Sequence, residues 1–197
     1  NLRLMDNKNP TKSGKRLPRF LNSDRLSVGQ TISLSKSSTH HAKNVLRLKV
    51  GDLVTIFDGR GREFIGTITK ITEKLAEVIT HEEINVSHES PVKIMLAQGL
   101  SRSDRMDFTI QKAVELGVYQ ILPLFTARSQ IKLRGDRLDR KLRHWGQLID
   151  SSCEQCLRNV RPSLLKPIEL KKWLNEIDNS TKKNWDRVIL DPNGTKS

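Results

Sequence analysis

At Glu89-Ser90-Pro91 the hydrophobic rhythm of the chain changes, and that change limits it to two differently built halves. Proline restricts the residue before it to extended backbone, so no helix runs easily through this point. Upstream, apolar residues recur with a period of two, the mark of strands that bury one face. Ile32 and Leu34 alternate with polar neighbours, Leu53 to Phe57 is an apolar, β-branched run, and Arg62 to Ile71 and Leu75 to Thr80 follow. Asp58-Gly59 and Gly61 mark a hairpin between two of these runs. Ser38 to Leu48 interrupts the meander with a helical stripe of Ala42, Val45, Leu46 and Leu48. Such a meander predicts a small β-barrel over residues 17–89. Residues 1–16, polar and basic with Pro10 and Gly14, read as a disordered arm.

Downstream, buried runs alternate with helical patterns. Val92 to Gln98 and Tyr119 to Phe125 read as strands. Between them Ser101 stands three residues before Asp104, a helix-start pattern. Met106, Ile110, Ala113 and Val114 continue it at helical spacing, and Gly117 ends it. Asp136 is placed to cap a long helix with Leu138, Leu142, Trp145 and Ile149 on one face. Pro162 to Pro167 reads as an extended connector. Leu170, Trp173, Leu174 and Ile177 form a third amphipathic helix, and Val188 to Leu190 a last strand. This alternation predicts an α/β unit with a parallel sheet over residues 92–197. Three strands are few for that class, so the sheet is expected to be incomplete on its C-terminal side.

Charge points to a partner. Lys and Arg number 35 against 22 Asp and Glu, a net charge of +13. Neutralising phosphates releases counterions, which favours a polyanion, and a pI near 10.0 fits a nucleic-acid binder. The densest stretch, Arg128 to Lys166, holds ten basic and four acidic residues. Aromatic residues are 5% of the chain, too few for stacking along a single strand. No apolar run approaches the ~20 residues of a membrane span. The first nine residues carry no leader-type apolar stretch. Two cysteines exclude a disulfide scaffold and fit a reducing compartment. The reading is a soluble, cytoplasmic, basic protein with no membrane or DNA partner.

Cys153-Glu154-Gln155-Cys156 has redox or zinc spacing, but no second pair completes a four-ligand site. Late in a long helix, both sulfurs fall toward the core, where cysteine packs as a small hydrophobe. His40-His41 lacks further metal ligands, and no metal site is expected. Glu154 and Arg158, at i and i+4, read either as an exposed ion pair or, with Gln155, as an ordered polar cluster at a pocket.

Arg19-Phe20-Leu21 after Pro18, His41 to Asp52 (HAKNVLRLKVGD) and Phe57-Asp58-Gly59 resemble signatures of one family. More specific are Met106 to Leu124 (MDFTIQKAVELGVYQILPL), then Arg128-Ser129, and Glu154-Gln155 with Arg158 and Pro162. Together they resemble the RsmE family, bacterial enzymes that methylate N3 of a uridine in 16S ribosomal RNA. The resemblance implies an α/β fold with an N-terminal β-barrel. A PUA-like barrel that holds RNA precedes a SPOUT α/β-knot domain with a parallel sheet. It also implies S-adenosylmethionine as methyl donor, 16S rRNA or the small ribosomal subunit as partner, and a homodimer with active sites at its interface. The family's G-P-E-G-G and L-G-x-R-I-L-R-x-E-T segments do not occur in residues 1–197, so the SPOUT domain is expected to be truncated.

Within this resemblance Arg19, Arg47, Arg128 and Arg158 are candidates for RNA or uracil contacts, since guanidinium holds phosphate bidentately. Glu154 and Gln155 are the supporting polar cluster. Leu190, Asp191 and Pro192 match the strand end that the family places beside the cofactor. No residue stands out as general base. A second reading, a non-catalytic RNA-binding module, differs in expecting RNA affinity without cofactor binding.

Overall fold

A computed structural model of the protein describes residues 16–85, 87–127, 134–178 and 186–190. The arm expected at the N-terminus therefore lies outside the described residues, apart from Arg16.

The first half is a mixed five-stranded sheet, a half-barrel of β1 (Arg19–Leu21), β2 (Thr31–Ser33), β3 (Leu53–Phe57), β4 (Glu63–Ile71) and β5 (Ala76–Ile84). Its spatial order is β1-β3-β4-β5-β2. β1 runs parallel to β3 and the remaining pairs are antiparallel. Register shifts at Ile65/Gly66 and Ile68/Lys70 interrupt the β4–β5 ladder. Such irregularities bend a strand, as a curling sheet needs. Phe20, Ile32, Val54, Ile56, Phe64, Ile68 and Val78 fill the concave core.

The helix expected from Ser38 to Leu48 is in fact two segments. Ser35 Oγ accepts the Ser38 N–H at 3.0 Å and starts α1 (Lys36–His40). From His41 to Val45 the turn widens, and the Leu46 N–H reaches the His41 carbonyl at 2.9 Å, five residues back. Arg47 follows with φ 55°.

The second half is a parallel sheet with helices. β6 (Met95–Gly99) leads to α2 (Ser103–Glu115), β7 (Gln120–Phe125) to α3 (Gly135–Cys156), and β8 (Ser163–Leu164) and β9 (Ile168–Glu169) to α4 (Leu170–Asp178). β7 is central: β6 lies on one side and β8 and β9 on the other. The extended connector of the sequence reading is thus the third strand, broken in two. Its ladder stops opposite Leu122 and Pro123, and proline has no N–H to give. The strand expected at Val188–Leu190 is not seen: among the described residues these three pair with no strand, and they are 83–90% exposed.

Both helix starts differ from expectation. Arg102 and Arg134 occupy the cap positions, without a side-chain cap bond. Asp104 and Asp136 sit inside the first turns, where a carboxylate offsets the helix dipole.

Period-two alternation explains how the halves join. Phe20 and Ile56 point into the half-barrel, while Leu21 and Phe57 join the second core with Met106, Ile110, Val114, Ile121, Trp145, Ile149 and Cys153. The two sheets therefore share an apolar seam rather than a flexible tether.

Candidate functional site at the domain junction

The seam is closed by polar groups that the sequence scatters widely. The hairpin after β3 docks on the segment after α3. Asp58 Oδ1 accepts the N–H groups of Arg60 (2.7 Å) and Arg62 (3.1 Å) and shapes the hairpin. Its backbone then pairs with residues 159–161. The Gly61 N–H donates to the Asn159 carbonyl at 3.0 Å, and the Arg161 N–H to the Gly59 carbonyl at 2.8 Å. Gly59 has φ +70°, and a Cβ there would stand 3.1 Å from Leu21 Cδ1 and 3.2 Å from Arg161 Cβ, so glycine serves both turn and approach.

α3 ends at Cys156, and Leu157 adopts φ 70°. That left-handed residue turns the chain so that Arg158 leaves the helix and enters the core, 4% exposed. Arg158 Nη1 donates to the carbonyls of Val118 (2.7 Å) and Val114 (3.2 Å) at the end of α2. Nε and Nη2 donate to the Glu89 carboxylate, the latter at 2.6 Å. The ion pair with Glu154 suggested by their spacing does not form, because the helix stops between them.

Arg19 is buried beside it. Its Nη1 donates to Glu63 Oε2 at 2.8 Å, its Nη2 to the Arg158 carbonyl at 3.2 Å, and its Cζ lies 4.8 Å from the Phe57 ring centroid. Glu63, Arg19, Arg158 and Glu89 thus form one chain of contacts from half-barrel to parallel sheet. Arg19 and Arg158, expected to face RNA, are spent inside the protein. Burial of a guanidinium requires partners, and both have them.

Glu154 is half-buried, and its Oε1 accepts the Leu21 N–H at 3.1 Å. Burial pushes its carboxyl up to about 7, with the Asp150 carboxylate adding to the rise; the Leu21 N–H and the Arg19 cation act against it. Gln155 is exposed and stands apart from this contact. Cys153 is fully buried, and burial together with Cys156 pushes its thiol up to about 12. Such a thiol is a poor nucleophile, in keeping with core packing.

Of the other candidates, Arg47 is exposed on the half-barrel. Arg128, Asp191 and Pro192 lie outside the described residues. Leu190 is 89% exposed and belongs to no strand.

Open α/β sheets hold ligands beyond the carboxyl ends of their strands. There, after β6, Ser101 Oγ is buried and makes no hydrogen bond among the described residues. Gly99 approaches so closely that a Cβ would stand 3.3 Å from Thr126 Cγ2. A hydroxyl without a partner beside a tight glycine fits one edge of a polar ligand such as a nucleoside. Sequence reasoning assigned Ser101 to helix capping and gave no role to Glu89, Glu63 or Asn159. Their partners lie tens of residues away, beyond any local pattern.

Comparison with known proteins agrees with this architecture. Residues 88–197 match the RNA methyltransferase domain family, and residues 34–80 the RNA methyltransferase PUA domain family. Ribosomal RNA small subunit methyltransferase E of Buchnera aphidicola subsp. Schizaphis graminum is 36% identical over 181 residues, covering 92% of this chain and 72% of that protein. The same enzyme of Neisseria gonorrhoeae, solved bound to S-adenosyl methionine, superposes with TM-score 0.78 at 38% identity, covering 82% of this chain and 66% of that one. A Legionella pneumophila methyltransferase in complex with the cofactor SAM superposes with TM-score 0.80 at 36% identity, covering 82% and 67%. This chain therefore spans about two thirds of the length of these two solved relatives. On the shared identity over nearly its whole length, the half-barrel of PUA type and the matching parallel sheet, the chain belongs to the ribosomal RNA small subunit methyltransferase E family.

Proposed function

We propose that the chain acts in S-adenosylmethionine-dependent methylation of small-subunit ribosomal RNA, at N3 of a uridine, in the cytoplasm. The observation that carries this reading is the superposition on a SAM-bound relative over 82% of the chain. The cofactor supplies an electrophilic methyl group on a sulfonium. Residues 17–89 hold RNA, and residues 92–197 supply the methyltransferase unit. Uracil N3 carries a proton and a delocalised lone pair, so transfer needs loss of that proton and an in-line approach. A cationic surface favours the uracil anion. Arg47 and Arg128 are our candidates for that surface. Arg19 and Arg158 act as positioning residues that fix the half-barrel against the parallel sheet. Ser101 is our addition to the cofactor-binding candidates Leu190, Asp191 and Pro192. A homodimer completes the site, and the exposed Phe108 and Leu116 give it apolar contact surface.

The test pairs two titrations. Calorimetry with S-adenosylmethionine should show saturable binding, and labelled cofactor should transfer methyl to small-subunit RNA at a uridine N3. Salt-dependent RNA affinity without cofactor binding would leave an RNA-binding module instead.

A further inference from the structure

A cleft of about 420 Å³ opens between α2 and α3, lined by Ser103, Asp107, Arg137, Arg140, Lys141 and His144. Arg137, Arg140, Lys141 and His144 recur at three- and four-residue spacing and so share one face of α3. The single carboxylate in the lining is already engaged. Asp107 Oδ1 accepts Trp145 Nε1–H at 3.1 Å, and its Oδ2 lies 2.7 Å from His144 Nε2. Lys141 Nζ donates to Ser103 Oγ and lies 5.9 Å from the Trp145 ring centroid. Those contacts hold one ammonium in place beside two free guanidiniums. Among the described residues neither Arg137 nor Arg140 has an ion-pair or hydrogen-bond partner, and both are exposed.

An exposed cation on a basic protein is ordinarily a solvated charge. Here three converge on one concavity whose acid is turned to other donors. Two planar guanidiniums and an ammonium suit the two free oxygens of a phosphodiester. Trp145 is 2% exposed and offers no face for a base, so the cleft suits backbone and not sequence. We infer that the α2–α3 cleft is a backbone-phosphate subsite for RNA, with Arg137 and Arg140 as its direct ligands and Lys141 as the third charge. The inference rests on RNA being the substrate, as proposed above.

The test is a titration of a single-stranded small-subunit rRNA fragment at several KCl concentrations. It compares the parent chain, R137Q/R140Q, and K171Q/K172Q, which removes the same charge from the exposed face of α4. Each phosphate contact on a single strand contributes about 0.7 to the slope of log affinity against log salt. The cleft pair, which removes the ligands of one phosphate, should therefore flatten the slope by about 0.7 and weaken binding roughly 5-fold at 0.1 M salt. The α4 pair should do much less. Bound RNA should also protect Arg137 and Arg140 of the parent chain from phenylglyoxal. An unchanged slope, equal effects of both pairs, or no protection overturns the subsite. An unchanged slope is also what a site for free phosphate would give. If the parent chain binds no RNA, the functional reading fails as well; if it binds and only the variant slope is unchanged, the subsite alone fails.

Discussion

Arg158 shows how much one side chain can hold. Its guanidinium, 4% exposed, meets the Glu89 carboxylate and the carbonyls of Val114 and Val118. Removing one partner of a buried ion pair strands the other, which costs about 3 kcal/mol or more. Arg158→Met should therefore lower the urea midpoint by an amount worth about 3 kcal/mol, and Arg158→Lys should recover only part, since an ammonium lacks the planar fork. A midpoint within error of the parent chain would remove Arg158 from the junction. Glu154 makes a different prediction, through pH. Its folded carboxyl, at about 7, lies above the unfolded value near 4.5, so the folded state holds the proton more tightly. This group's contribution is thus fully favourable below about pH 4.5 and is lost as pH rises through 7, by up to about 3 kcal/mol. Glu154→Gln keeps an acceptor for the Leu21 N–H and removes the titration. It should melt higher than the parent chain at pH 8 and close to it at pH 4.5. A melting difference independent of pH would sink this assignment.

At the scale of elements, Gly66 sits at a register shift where β4 bends against β5. A Cβ there would lie 2.5 Å from Val78 Cγ1 and 2.8 Å from the Ile79 carbonyl oxygen. Gly66→Ala must push the backbone of β5 aside, at a cost of about 1–3 kcal/mol, readable as a fall in melting temperature. An unchanged melting temperature would mean that the bulge yields freely. The same strands show what was legible in the chain. The local pattern, a β-branched run and then a stretch after the hairpin signal, located β3 and β4 closely, because both strands are mostly buried. It did not see that β1 and β3 bury their other face too, against α3. The α2 and α3 patterns were legible for the same local reason. The third parallel strand was not, because its two prolines read as a connector, while the exposed Val188–Leu190 carried the stronger strand pattern. The junction contacts had no local signal at all: Arg19 and Arg158 stand 139 residues apart. A helical spacing from Glu154 marked Arg158 and a family resemblance marked both, but neither carries any sign of their burial.

For the whole molecule, the shared seam means that the two sheets are not independent in stability. Phe57 is the clearest link, a fully buried ring contributed by the half-barrel to the core of the parallel sheet. Phe57→Ala should cost about 3–5 kcal/mol, with unfolding followed by tryptophan fluorescence, which comes only from Trp145, Trp173 and Trp185 of the second half, and by far-UV circular dichroism shifting together. An early circular-dichroism transition with the tryptophan fluorescence unmoved would show that the sheets unfold separately. No helix among the described residues is long and apolar enough to cross a membrane.

The junction also sets an order of events during synthesis. The strands of the half-barrel are all made once Ile84 has been added, yet the segment that covers Leu21 and Phe57 ends near Arg161. Translation at 5–20 residues per second leaves a gap of about 4–15 s between the two. Throughout that interval the nascent chain presents an apolar strand face, and an Arg19 paired with Glu63 but lacking the Arg158 carbonyl, to the ribosome exit and its surroundings. The last-made turn after α3 is therefore the latch: the first half cannot reach its final state until Arg158 has emerged.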